Sequence, residues 1–210
     1  MLRVKTIYPN IQTEGSFAGV PSIFIVLSDN HDHEMKIDDV VHYLGTVANT
    51  GLRHISIVGE DCEPLKQQAE LVKLIKHVAR SFSLVVHTTG SVLPADGMNQ
   101  WVDEFICTPD EKKFNPNILD RLAENSLFLM DFNGEDVHKT IQHINKHIHT
   151  ESERYVLTGG DEAEMRSMAL ANGYRVSSML SEGPGLPENA EKPEIDISAL
   201  KTLKDAPEGK

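Results

Sequence analysis

Along this chain, short apolar stretches rich in β-branched residues alternate with longer segments in which apolar residues recur every three or four positions. The short stretches predict strands over 4–8, 22–27, 54–58, 84–88, 104–107, 127–130, 155–157 and 174–179. The longer segments predict helices over 37–49, 64–80, 116–124, 134–149 and 161–172. In the second of these, Leu65, Leu71, Val72, Leu74, Ile75 and Val78 form one apolar stripe. Gly51, Gly90 and Gly173 stand where turns or helix stops are expected, and Asp161 after a glycine pair reads as a helix N-cap. Strands spaced by helices argue for an α/β fold with a mostly parallel sheet, either barrel-like or open.

The pattern changes after residue 180. Residues 181–210 hold four of the ten prolines, seven acids and no aromatic residue, the composition of a flexible Pro/Glu-rich tail. One domain over 1–180 followed by that tail is the expected organisation. No apolar run approaches the roughly 18 residues of a membrane span, and the first residues lack the apolar core of a signal peptide. The expectation is therefore a cytoplasmic protein with no membrane partner. Twenty basic against 32 acidic residues give a formal charge of −12, which disfavours nucleic acid as a partner. Two cysteines, Cys62 and Cys107, fit a reducing compartment and cannot form a thiolate cluster site alone.

Ligand-type side chains gather in "SDNHDHE" after the second strand. His31, Asp32, His33 and Glu34 offer imidazoles and carboxylates that suit a divalent ion, with His54, His87 or Cys62 as a remote ligand, or else they form a solvated acidic loop. His143 and His147 are one helical turn apart, but no glutamate stands beside the first as in zinc proteases. Ile141, Ile144 and Ile148 mark the buried stripe of that helix and leave the histidines towards solvent. Asp61, Glu63 and Asp110 lie at strand ends, where an acid or base would act. Glu14, between apolar segments, either caps backbone amides in a turn or recognises a ligand.

The stretch "IYPNIQTEGSFAGVPSIFIVL" resembles the opening of the 7-carboxy-7-deazaguanine synthases, radical S-adenosylmethionine enzymes of queuosine and deazapurine biosynthesis. Their glutamine-glycine-glutamate-glycine turn corresponds to Gln12-Thr13-Glu14-Gly15, and Gly19-Val20-Pro21 follows at the family spacing. "HISIVGEDCEPL", "VVHTTGS", "WVDEFICTPDEKK" and "ANGYRVSSML" are similar, in order, to later family segments. The resemblance implies a shortened, partly open (β/α) barrel, a homodimer, and a Gln12–Gly15 turn against a purine-like substrate.

The departures fall on the chemistry. The family's cluster loop carries three cysteines, and the loop after Leu27 has none; carboxylates and imidazoles rarely replace three soft thiolates. Val26 stands where family members often have arginine. The cofactor turn Gly-Gly-Glu-Pro is degenerate as Gly59-Glu60-Asp61-Cys62-Glu63-Pro64, and Ser-Pro-Lys is replaced by Thr108-Pro109-Asp110. The resemblance then points away from an enzyme: a catalytically degenerate member with no [4Fe–4S] cluster and no cofactor, binding a purine- or pterin-like ligand or a protein partner. The alternatives are an enzyme of different chemistry using a divalent metal at the His31/His33 loop, and residual deazapurine synthesis.

Overall fold

The computed structural model describes residues 1–48, 50–60, 62–109, 115, 117–118, 126–131, 137–147, 154–159 and 161–176. The chain begins with β1 (Leu2–Ile11), which runs antiparallel to β2 (Pro21–Leu27). A bulge between Val4 and Thr6 shifts the alternation, so that Leu2, Val4 and Ile7 all reach one core. Strict period-two reading cannot place all three on one face.

The two residues of β3 (Glu34–Met35) pair antiparallel with β1 at the sheet edge. From β2 onward the sheet is parallel through β4 (His54–Gly59), β5 (Ser83–Thr88), β6 (Glu104–Cys107), β7 (Leu127–Asp131), β8 (Tyr155–Thr158) and β9 (Arg175–Val176). The order is β3-β1-β2-β4-β5-β6-β7-β8-β9, an open, mostly parallel α/β sheet of the partial (β/α) barrel type. The crossovers hold α1 (Ile37–Ala48), α2 (Gln68–Val78), α3 (Val137–His147) and α4 (Glu162–Asn172).

Alternation in the strands divides the sheet into two faces. Ile23, Ile25, Leu27, Ile55, Ile57, Leu84, Val86, Phe105, Phe128 and Leu157 pack with Leu44, Leu71, Leu74, Ile75, Ile141 and Met165 of the helices. Each such side chain contributes roughly 1.5–3 kcal/mol of burial before entropy is counted. On the opposite, inner face Val85, Ile106, Leu127, Leu129 and Val156 form a smaller cluster, with Phe17 of the β1–β2 loop against it.

The expected elements return with local differences. The helix expected over 64–80 is a 3-10 turn, Pro64–Gln67, followed by α2; Glu63 caps the turn by accepting from Leu65 N, and buried Gln67 departs from helical backbone at φ −98 and ψ 17. Asp161 caps α4 as expected, accepting from Ala163 N and Glu164 N. The "HDH" loop contains a 3-10 turn, His31–His33, and leads into β3, neither anticipated. Of the helix expected over 116–124, only Asn117 and Ile118 lie among the described residues. The tail at 181–210, Ile148, His149, and the side chains of His143, Ile144 and His147 lie outside them. Among the described residues no helix is long and apolar enough to cross a membrane.

Candidate functional site

The Gln12–Gly15 turn lies in the β1–β2 loop, at the end of the sheet where the parallel strands begin. Its shape is fixed by Gln12 N donating to Val20 O at 2.9 Å and Gly19 N to Gln12 O at 2.8 Å. Gln12 is buried and its Nε2 donates to Glu14 O at 3.0 Å, while its Oε1 is buried without a hydrogen-bond partner. The acid that caps this loop is Glu104 rather than Glu14: Ser16 N donates to both oxygens of Glu104, at 3.1 and 3.0 Å. Gly15 has φ +81, and a Cβ there would run into the Glu104 carboxylate. Burial raises the Glu104 carboxyl above its ordinary range, partly offset by Ser16 and by the charge of Arg175.

With the capping role taken, the Glu14 side chain is spared. It is about two-thirds covered and accepts no hydrogen bond from the described residues; its nearest ionisable partner is His87, with Oε2 3.9 Å from Nδ1. Burial raises the Glu14 pKa. His87 lies on the inner face of β5, its Nε2 3.1 Å from Ser56 Oγ on β4. Burial lowers its pKa to about 4, so the imidazole is neutral at pH 7. Ser56 in turn is level with Phe24 in the parallel β2–β4 register, and Phe24 stacks on Tyr8 of β1 at 5.7 Å and 14°. An aromatic pair, a hydroxyl, a neutral imidazole and an under-satisfied carboxylate thus follow one another across the inner face.

Of these residues, Glu14 is among the sequence candidates and His87 only as a remote metal ligand; Ser56, Glu104, Tyr8 and Phe24 are not among them. The signal available was polarity out of place: a serine inside "HISIV", a histidine closing "LVVH" and an acid opening "EFIC".

The other end of the sheet, where parallel strands finish, is tied together by the chain itself. Gln67 Oε1 accepts from Arg3 N at 2.8 Å and its Nε2 donates to Ser28 O at 3.0 Å. Glu60 N donates to Leu27 O at 2.9 Å, Cys62 Sγ to the same oxygen at 3.3 Å, and Glu60 pairs with Lys5. At Gly59 a Cβ would collide with Cys62 O, so the turn folds tightly over itself. Asp61 and Asp110 lie outside the described residues. Buried Glu63, besides capping Leu65, accepts from Thr89 N at 2.7 Å and Thr89 Oγ1 at 2.6 Å, which joins this turn to the end of β5.

These donors do not fit an iron–sulfur cluster. One thiol, Cys62, reaches the end of β2, and burial together with the charges of Asp29 and Glu63 raises its pKa. Cys107 is fully buried, and burial pushes its thiol far up. Neither supplies a ready thiolate, and three are needed.

His31, Asp32, His33 and Glu34 are held in separate local contacts. His31 Nδ1 is 2.9 Å from Glu34 Oε1, while its Nε2 is 3.4 Å from Arg3 Nη1. Arginine only donates, so the Arg3 contact has Nε2 as acceptor and leaves Nδ1 as the donor to Glu34. The His31 hydrogen bond lowers the Glu34 pKa. His33 Nδ1 lies 3.1 Å from Ser28 Oγ, and Asp32 N donates to Asn30 Oδ1 at 2.9 Å. Among the described residues no three His, Cys, Asp or Glu side chains gather as ligands for one ion.

No family model matches this sequence, and no curated protein matches it. Among solved structures, the crystal structure of QueE from Escherichia coli is similar at a TM-score of 0.64, over 83% of this chain and 92% of that chain, with 16% sequence identity. The chain has a QueE-like fold.

Proposed function

We propose that this protein is a catalytically degenerate relative of the 7-carboxy-7-deazaguanine synthases that has lost the [4Fe–4S] cluster and binds a planar purine- or pterin-like ligand on the inner face of its sheet. The carrying observation is Glu14, a largely covered carboxylate that accepts no hydrogen bond from the described residues and stands beside the neutral ring of His87. A carboxylate two-thirds covered keeps only part of its hydration, and a ligand with hydrogen-bond donors on its edge replaces what is lost. The stacked Tyr8 and Phe24 rings supply an apolar bed on the same face. Loss of the cluster is supported by the cysteine-free loop after Leu27 and by the two raised thiols. By the family resemblance the assembly is a homodimer, which light scattering measures directly.

A thermal-shift screen over deazapurines, pterins and S-adenosylmethionine tests this reading. A purine- or pterin-type ligand at 100 times its Kd is expected to add about 2.7 kcal/mol to the stability of the folded state. A blank screen overturns ligand binding and leaves a protein partner as the occupant of this face. Anaerobic reconstitution that gives stoichiometric iron and sulfide with a brown charge-transfer band overturns the loss of the cluster.

A further inference from the structure

S-adenosylmethionine carries an ammonium that needs acceptors, a carboxylate that needs donors and ribose hydroxyls that need both. The family resemblance puts it along the turn from Gly59 to Pro64, at the end of the sheet where the parallel strands finish. We infer that this chain takes no S-adenosylmethionine there, because the polar groups of that end are already engaged with one another. The cofactor has then been given up along with the cluster, whatever the inner face of the sheet holds.

The acceptors are taken one by one. Leu27 O receives both Glu60 N at 2.9 Å and Cys62 Sγ at 3.3 Å, which uses both of its lone pairs. Ser28 O receives Gln67 Nε2, and Gln67 Oε1 receives Arg3 N. Glu63, the acid that an ammonium would seek, is buried with Leu65 N on one oxygen and Thr89 N and Oγ1 on the other. Thr89 Oγ1 is in turn 2.9 Å from Ser91 Oγ. The turn also lies directly over the end of β4, where a Cβ on Gly59 would already collide with Cys62 O. A ligand entering here has to open these contacts first, and the fraction of open molecules divides its affinity. Three hydrogen bonds on one buried carboxylate and two on one buried amide hold that fraction to about one molecule in a hundred or fewer.

Amide hydrogen exchange and shift mapping by NMR on the full-length protein test the closure. The reporters are the amides of Arg3, Leu65 and Thr89, which donate to Gln67 and Glu63. Each is expected to exchange at least about 100-fold more slowly than in the unfolded chain. Neither their rates nor their shifts are expected to move on addition of about 1 mM S-adenosylmethionine or S-adenosylhomocysteine. Fast exchange at these amides in the free protein overturns the closure, and so does a saturable shift of any of them with either compound. Shifts confined to the inner face, at Ser56 or His87, leave the closure standing and place the adenine ring on that face instead. A blank screen of purines and pterins removes the ligand reading and does not touch these three amides, so the two readings fail separately.

Discussion

Glu104, at the start of β6, holds the backbone of Ser16 across a sequence separation of 88 residues, with both carboxylate oxygens taking the same N–H. This contact sets the height of the β1–β2 loop over the inner face and releases Glu14 from any capping duty. The candidate site therefore depends on an acid that belongs to a different unit of the fold.

Gly15→Ala is expected to cost more than Gly19→Ala. Both residues have positive φ, +81 and +85, but an added Cβ meets the Glu104 carboxylate at Gly15 and open space at Gly19. The left-handed backbone alone costs about 1–2 kcal/mol in each, and Gly15→Ala adds the displacement of Glu104. Urea unfolding of the two variants measures the difference.

Stability should fall between pH 6.5 and pH 4 through His87. Its folded pKa is lowered to about 4 from 6.5, so in that window the unfolded chain binds a proton that the folded chain refuses. Stability from this group is full above pH 6.5 and is lost as pH falls through the folded value, by roughly 2–4 kcal/mol. Glu14 acts with the opposite sign: its raised pKa means that folding penalises the ionised form, and the penalty lifts as pH falls towards 4.5. His87→Gln is expected to flatten the pH dependence of the unfolding midpoint in this window, measured against the wild-type protein.

Glu63→Ala is expected to lose about 2–4 kcal/mol, because it removes the cap on Leu65 and leaves Thr89 N and Thr89 Oγ1 without their acceptor. A double-mutant cycle with Thr89→Val should return a coupling of about 1–3 kcal/mol, whereas additive losses would show that the two residues act separately.

The thiols should differ in access. Cys107 is fully buried and Cys62 is partly covered, and both have raised pKa values. At pH 7.5 the native protein is expected to react slowly at Cys62 with an aromatic disulfide reagent and not at Cys107, with two thiols released per chain on unfolding.

The strands and helices were legible because each carries its own periodicity: "SIFIVL" and "HISIV" declare buried parallel strands, and the stripe from Leu71 to Val78 declares a helix. The bulge at Val4–Thr6 was not, since it shows only against the partner strand. Nor was the break at Gln67, whose amide serves Arg3 and Ser28 at sequence separations of 64 and 39. At the candidate site Glu14 was legible from its motif, while Ser56 and His87 meet only once β4 and β5 lie side by side. Long-range pairing made the site, and local pattern records it only as polar residues out of place within apolar strands.

The amide of Gln67 is a clasp without charge or redox chemistry. It joins the start of β1 to the end of β2, beside the loop that follows Leu27. A carboxamide neither titrates in the ordinary pH range nor exchanges electrons. The Gln67 contact itself is therefore expected to hold unchanged in acid or base and in air or reductant.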